Sequence, residues 1–519
     1  MVNSKTWRRF RRSSGQARSG RRWGRRIMGA IIVYAVLSIA VRAWVPAPPA
    51  VGLAGMQYNA NYLQFFQDIS WLNSEGERQM SQETFDQVFR MIGEAEEFVL
   101  LDMFLFNAWQ GPVPEEHRAL SEELTQALIE QKQRNPDMLI IVISDPINTV
   151  YGGLESVHFK RLRDAAIPVV LTDLNQLQDS NPTWSGFWRF VVRPFGNGSG
   201  DWLPNPFGEG RVSVRSYLSL LNFKANHRKL LVSDDGEQQL RGLVTSANPH
   251  DGSSAHRNIA LSFSGPAVMD LINGERELLA MSGADEELQR IDSVLAEQIE
   301  RHDNASQIEV MPATEKALVA GSSQVQVLSE SRIRAAVLQA INQAFAGDAI
   351  DLAMFYLSER QIIEALKEAV KRDVTVRALL DINSDAFGRR KNGVPNRPVA
   401  AELTAAGVDV KWCATSGEQC HAKWLHVSHE TQSGRAHEFI LGSANFTRRN
   451  LMDLNMETNV RVSTVAEARI ATQMIEFFDK QWNNQQGRTY SYPYSRFADD
   501  SPWLKLQYRF MEMSGLSTF

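Results

Sequence analysis

With 519 residues the chain is too long for one ordinary domain and suits two to four. Its 43% apolar and 22% charged residues are those of a globular protein with real cores. The net charge of −5 conceals an asymmetry: ten of the 55 basic residues and none of the 60 acidic ones lie in residues 1–26. The remainder carries 45 basic against 60 acidic residues, and such an acidic body speaks against nucleic acid as a partner.

Residues 1–26 read as a basic cytoplasmic tail, and 27–41 form an uncharged apolar run of fifteen residues. The run extends to residue 45 if Arg42 snorkels its charge to the interface. A basic flank before an apolar run orients the flank inward, so 27–45 is expected to be a transmembrane signal-anchor with the rest of the chain across the membrane. A cleaved signal peptide opens the same way. The Pro-rich stretch within 46–57 reads as a linker.

From residue 58 the pattern alternates. The spacing of Phe85, Val88, Phe89 and Ile92 predicts a helix over 82–97, and 98–106 is a buried strand. A helix over 118–133, a buried strand over 138–145, a helix near 155–166 and a strand at 167–171 follow. The second half repeats the order: helix 331–346, strand 349–357, helix 359–372, strand 374–381, a helix ending at Gly407, and strand 408–412. The strands 98–106 and 349–357 share the pair Met-Phe. Near-continuous apolar strands alternating with helices predict an α/β fold with covered sheets, and the repeated order predicts an internal duplication. The units are expected at 58–304 and 324–519, with 266–304 helical and 305–323 a connection.

The halves differ in an insertion over 174–220 that holds Trp184, Phe187, Trp188, Phe190, Phe195, Trp202 and Phe207 among glycines, prolines and arginines. Tryptophan with arginine suits an interfacial membrane contact; the other reading is a loop whose aromatics pack on the core.

Two short motifs recur. Asn226-His227-Arg228-Lys229 runs on to Asp234 and is followed by Thr245-Ser246-Ala247-Asn248. His421-Ala422-Lys423 runs on to Ser428 and is followed by Gly442-Ser443-Ala444-Asn445. His to Asn is 21 residues in the first copy and 24 in the second. Side chains two apart on a strand share a face, so each His would point with its Lys, and Ser443 with Asn445. An imidazole, an ammonium and an amide converging from neighbouring strands can hold a tetrahedral anion such as phosphate.

The two cysteines, Cys413 and Cys420, have six residues between them and sit at expected strand ends. They form a disulfide, which an exported compartment permits, or remain two thiols. A Cys/His metal site is disfavoured, because His426 would face away from His421.

On these paired motifs the chain resembles the phospholipase D superfamily, over roughly 58–490, and within it the bacterial cardiolipin synthases and related membrane phospholipases. The resemblance implies two α/β units packed around one shared active site on the outer, periplasmic side of a bacterial inner membrane. It implies that one histidine, here His227, attacks phosphorus and forms a phosphohistidine while His421 serves as acid and base. Lys229, Lys423, Asn248 and Asn445 would hold the phosphoryl oxygens, supported by Ser246 and Ser443, without metal or other cofactor. Glu457 would orient His227. Two departures from the family pattern stand out: Ser428 replaces the Asp that matches Asp234, and Ala260 stands where the first half would supply an acid to His421. The expected activity is phosphatidyl transfer that makes cardiolipin or a related lipid from phosphatidylglycerol. Hydrolysis by water, a nucleic-acid phosphodiesterase and a non-catalytic membrane scaffold are the alternatives. No nucleic-acid partner is expected; the phospholipid and the membrane are.

Overall fold

The strands of this chain are apolar on both faces, and the fold gives each face a layer to meet. The computed structural model describes residues 23–34, 36–37, 47–60, 62–110, 118–237, 239–303, 323–386, 389–431, 434–517 and 519. Seven strands form the first sheet: β1 (Leu63–Gln67), β2 (Phe98–Met103), β3 (Leu139–Ser144), β4 (Val169–Leu171), β5 (Lys229–Asp234), β6 (Leu240–Thr245) and β7 (Ile259–Ser264). Their order across the sheet is β1-β7-β6-β5-β2-β3-β4. Neighbours β2, β3 and β4 run parallel, and the other pairs are antiparallel.

The second sheet contains β8 (Gln324–Ser329), β9 (Ala349–Met354), β10 (Thr375–Leu380), β11 (Asp409–Cys413), β12 (Lys423–Thr431), β13 (Gly434–Gly442) and β14 (Thr458–Val465). Their order is β8-β14-β13-β12-β9-β10-β11, with β9, β10 and β11 parallel and the rest antiparallel. Strand for strand, the two sheets share one order and one pattern of direction. The second is extended at its edges by Tyr58–Asn59 beside β8 and by β15 (Ser491–Pro493) beside β11.

Alternation along each strand builds the layers. Leu230 and Val232 of β5 face a central core that also holds Trp424, Phe439, Val460 and Val462 of the second sheet. Between them, Leu231 faces outward with Val99, Leu101 and Leu243 onto Phe85, Val88 and Ile92 of the helix Thr84–Glu94. On β12, Leu425 and Val427 face the opposite outer layer, with Ile362 and Leu366 of the helix Arg360–Lys371. Helix, sheet, sheet and helix are therefore stacked, and the two sheets close over one common apolar core. Truncating any of these leucines to alanine costs about 2–5 kcal/mol.

Several expectations are revised. The segment 266–304 is two helices, Ala267–Met281 and Asp285–Asp303, separated at Gly283, whose φ of 71° a helix cannot continue. Residues 54–59, divided above between linker and first unit, run instead along the second sheet: Ala54 bridges Leu328, and Tyr58 pairs with Val325. Residues 23–34 and 36–37 are helical with Ile27, Ile31, Ile32, Val36 and Leu37 exposed. Residues 1–22 of the basic tail, residues 35 and 38–46, and all but the last residue of the connection 305–323 lie outside the described residues. Among the described residues no helix is long and apolar enough to cross a membrane.

Candidate active site

The two halves meet through backbone as well as core. His227 and His421 do not lie on strands; each precedes one, since β5 begins at Lys229 and β12 at Lys423. Their segments are extended and cross to the opposite half. Asn226 bridges Met456 in parallel, and His227 N donates to the Met456 carbonyl at 2.9 Å. Cys420 bridges Arg257, and His421 N donates to the Arg257 carbonyl at 2.9 Å. A buried carboxylate just after β3 in one half and β10 in the other fixes the same segment from behind. Asp145 Oδ2 accepts from Asn226 N, and Asp381 Oδ2 from Cys420 N, both at 2.7 Å. Burial pushes these two carboxyls up, to about 7 and about 6.

The side chains then converge. His227 Nδ1 lies 2.8 Å from Glu457 Oε1. His421 Nδ1 lies 3.0 Å from Asn258 Oδ1. Ser443 Oγ donates to Glu457 and Ser246 Oγ donates to Asn258. The orientation of the Asn258 amide is set by two neighbours: Oδ1 accepts from Ser246, and Nδ2 donates to the His256 carbonyl at 3.1 Å. Lys229 Nζ donates to the His227 carbonyl at 2.7 Å, and Lys423 Nζ to the His421 carbonyl at 2.6 Å. Each pair rests on a phenylalanine. The ring centroid of Phe104 is 4.7 Å from that of His227 and 5.1 Å from Lys229 Nζ; for Phe355 the distances to His421 and Lys423 are both 5.0 Å. Asn248 and Asn445 follow the ends of β6 and β13 rather than lying on those strands, as do Ser246 and Ser443. Asn248 Oδ1 accepts from Leu105 N, whereas the buried Asn445 Oδ1 has no partner among the described residues.

Electrostatics distinguish the halves. Burial holds His227 down to about 4 against the pull of Glu457, with Lys229 and Lys423 lowering it further, so its imidazole is neutral at physiological pH. Burial and the Lys423, His256 and Lys229 charges hold His421 well below the ordinary range. Burial lowers Lys229 to about 7 and Lys423 well below its usual value. Glu457 is held below the ordinary carboxylate range despite burial, by His227 first and Lys229 next. Burial thus disfavours the charged forms of the four basic groups, and an anionic phosphate diester bound among them would restore them.

Residue by residue, the structure moves some sequence expectations. The position matching Glu457 is Asn258, not Ala260. Ser443 N bonds the Thr458 carbonyl and Ser246 N bonds the Ile259 carbonyl, which pairs 457 with 258. The loop after Asn248 is two residues shorter than the loop after Asn445, so counting from the asparagine misplaced the partner. Asp234 plays a structural part, accepting from the backbone of Glu96, Glu97 and Phe98 at the start of β2. Where Ser428 replaces it, Asp348 provides the carboxylate from the facing strand's turn, accepting from Glu430 N and contacting His429 Nδ1, each at 3.0 Å. Cys413 and Cys420 are joined as a disulfide with Cα atoms 6.2 Å apart, so neither is a metal ligand. His426 pairs with Asp351 and His437, at 3.2 and 2.9 Å. Sequence reasoning missed Asn258, His256 and both phenylalanines, although the shared Met-Phe pair was the signal for the last.

A family model described as "Cardiolipin synthase, PLD-like domain" matches residues 337–482, which include His421, Lys423, Asn445 and Glu457. Over those residues the chain is similar to the phospholipase D-like family. A likeness of fold extends over the half that the family model does not match. Phosphatidylserine synthase from Haemophilus influenzae Rd KW20 is similar in structure over 90% of this chain and 95% of its own, with a TM-score of 0.52 and 11% identity. Nuc from Salmonella typhimurium, a phospholipase D family member, covers 31% of this chain and 95% of its own at 22% identity and a TM-score of 0.25. Polyphosphate kinase from Porphyromonas gingivalis covers 88% of this chain and 56% of its own at 10% identity and a TM-score of 0.40. No curated protein sequence matches the chain.

Proposed function

We propose that the protein is a phosphatidyltransferase that uses phosphatidylglycerol as donor and forms cardiolipin or a related phospholipid through a phosphohistidine. The observation that carries this reading is the unequal pair of imidazole partners, Glu457 at His227 and Asn258 at His421. Glu457 accepts the Nδ1 proton, leaves the Nε2 lone pair free, and stabilises the cation formed when Nε2 bonds to phosphorus. His421 has a neutral amide acceptor and is a strong acid once protonated. The incoming anionic phosphate raises its proton affinity, and Nε2–H then protonates the leaving glycerol. In the second step the same nitrogen takes the proton of the acceptor hydroxyl while the N–P bond breaks. Lys229, Lys423 and the amides of Asn248 and Asn445 hold the phosphoryl oxygens.

The matching strand orders support two copies of one unit, each completing the site of the other. The exposed apolar residues of 27–37, behind a basic segment, support a membrane anchor, and the disulfide suits an oxidising compartment outside the cytoplasm. The test is a product assay. Detergent-solubilised protein is given labelled phosphatidylglycerol, and cardiolipin and free glycerol are expected to appear together. Phosphatidic acid as the sole product would replace transfer by hydrolysis, and cleavage of an oligonucleotide control alone would overturn the reading.

A further inference from the structure

Strands β1 and β8 hold matching places in the two sheets, each beside the strand that a histidine's partner precedes. The ladder of β1 with β7 pairs Gln67 with Ile259, so one step further Asp68 faces Asn258. The ladder of β8 with β14 pairs Ser329 with Thr458, so Glu330 faces Glu457. In the first half the backbone ladder continues. Asn258 N donates to the Asp68 carbonyl at 3.0 Å, and Asp68 N to the Asn258 carbonyl at 2.8 Å. The Asp68 side chain is turned elsewhere, accepting from Glu83 N and Thr84 N at 2.8 and 3.0 Å. In the second half the backbone turns off. Glu330 opens the helix Glu330–Gln343 with a φ of 38°, and Glu457 N donates instead to the Glu330 carboxylate, at 2.7 Å from Oε1. A residue with a Cβ adopts that left-handed φ at a cost, and the conformation persists only where its surroundings fix it.

Two further groups meet on this carboxylate, which is fully buried. Oε1 lies 3.4 Å from Nη2 of Arg228, the residue between His227 and Lys229. Oε2 accepts from Gly52 N at 2.7 Å. Arg228 reaches the same segment, donating from Nη2 to the Ala50 carbonyl at 2.6 Å, while its Nη1 stands 3.0 Å from Glu275. Burial pushes the Glu330 carboxyl up, and the Arg228 charge is the largest influence pulling it back. One side chain thus joins the residue after His227, the peptide of His227's acceptor and the segment 50–52. The first half shows that a backbone carbonyl suffices to hold the peptide alone. The links to Arg228 and Gly52 are what the carboxylate adds.

We infer that Glu330 is a positioning residue, which sets Glu457 against His227 by tying the Glu457 peptide to Arg228 of the opposite half. The inference rests on the transferase reading for the reaction in which its effect is read. Glu330 holds the peptide that carries the acceptor, and it holds the guanidinium next in the chain to the nucleophile. A shift at Glu330 therefore moves acceptor and nucleophile relative to each other. Misalignment of a reacting group is felt in the rate of the chemical step. Loss of Glu330 acts through Glu457 and on kcat, and KM stays nearly level. The same contacts make residues 50–52, which follow the apolar run of 27–45, part of the support of the site.

The experiment is a double-mutant cycle in the full-length protein, with Glu330→Gln, Glu457→Gln and the pair together. Glutamine keeps the size of the side chain but offers a single acceptor oxygen, where Gly52 N and Glu457 N each need one. Glycerol release from labelled phosphatidylglycerol gives kcat and KM. Glu330→Gln is expected to lower kcat by about tenfold or more, with KM within about twofold of the wild type. Once residue 457 is already glutamine, the same change is expected to cost less than about twofold, because members of one network are not additive. A residue that only supports the fold lowers the rate by the same factor in both backgrounds. That result, or an unchanged kcat, overturns the inference. Glu330→Asp carries the same cycle if the glutamine variant does not fold: it keeps the charge beside Arg228 and is too short to reach both N–H groups. The proton NMR signal of the His227–Glu457 hydrogen bond, identified by its loss in Glu457→Gln, is a readout independent of turnover. It is expected to move or vanish in the Glu330 variant, and a signal unmoved there overturns the inference. A wild type that releases no glycerol defeats the transferase reading instead, and the NMR signal then decides the role of Glu330 alone.

Discussion

Asn258 Oδ1 stands 3.0 Å from His421 Nδ1, the place that Glu457 takes beside His227. One shared architecture thus carries a charged acceptor in one half and a neutral one in the other. The phosphoryl group should therefore attach to His227. Rapid quenching without acid, followed by peptide mapping, locates it; a phosphorylated His421 peptide would reverse the two roles. Glu457→Gln gives both histidines the same partner and should slow formation of the intermediate by roughly a hundredfold or more.

Asn258→Asp makes the opposite change. A carboxylate beside His421 favours its protonated form, so the imidazole should titrate at higher pH. The limb of the pH–rate profile that reports this group should move upward by about 1 unit or more. An unmoved profile would mean that the amide only fills space.

His227→Ala and Lys423→Met should each abolish turnover, by roughly 10³-fold or more. Their effects on stability should diverge from their effects on rate. Lys423 is fully buried, and burial holds its charge down, so an isosteric apolar side chain should leave the melting temperature equal or raise it. Activity retained in His227→Ala with the fold intact would defeat the two-histidine mechanism.

Lys229 gives a pH dependence with a definite sign. Its ammonium is lowered by burial to about 7 in the empty site. An anionic phosphate binds the protonated form, so binding raises its proton affinity. Above pH 7 a proton must be taken up with the substrate, and apparent affinity should fall by up to about tenfold per pH unit. Below pH 7 this group makes affinity level. Titrating a non-reactive phosphate diester between pH 6 and 9 checks it.

The disulfide closes a short loop, and removing it as Cys413→Ala with Cys420→Ala should cost up to about 2.5 kcal/mol. Cys420 N is held by Asp381 and adjoins His421, so the rate should fall along with the denaturation midpoint. A midpoint unchanged in the double variant would remove the bond from the account of stability.

Membrane contact by the insertion falls to only some of the aromatics that its sequence offers. Trp184 Nε1 donates to the Leu218 carbonyl at 2.9 Å, and its ring lies against Phe187, so it is partly structural. Phe190, Phe195 and Trp202 are the most exposed members, the last two at 70% and 74%. Replacing these three with serine should weaken liposome binding of the full chain, and sedimentation with vesicles measures it.

The sheets, most of their helices and both His-Lys pairs were legible because hydrophobic period and motif spacing are local. Phe98–Met103 and Ala349–Met354 are apolar enough to be read as buried strands from composition alone. What escaped is what depends on the other half. Asn258 earns its place only through His421, 163 residues away, and a loop two residues shorter hid the correspondence. The shift of residues 54–59 onto the second sheet escaped for the same reason, since no periodicity in a short segment records which edge it will join.

The crossed backbone bridges have a consequence for synthesis. The carboxylate for His227 arrives with the second half, and the amide for His421 comes from the first. A chain leaving the ribosome presents His227 long before Glu457 exists, and domains fold in that order. Through that interval the nucleophile has neither its acceptor nor its acid. A chain interrupted between the halves would lack the same partners, so under the proposed mechanism activity begins only when translation has passed Glu457 and the two sheets have closed.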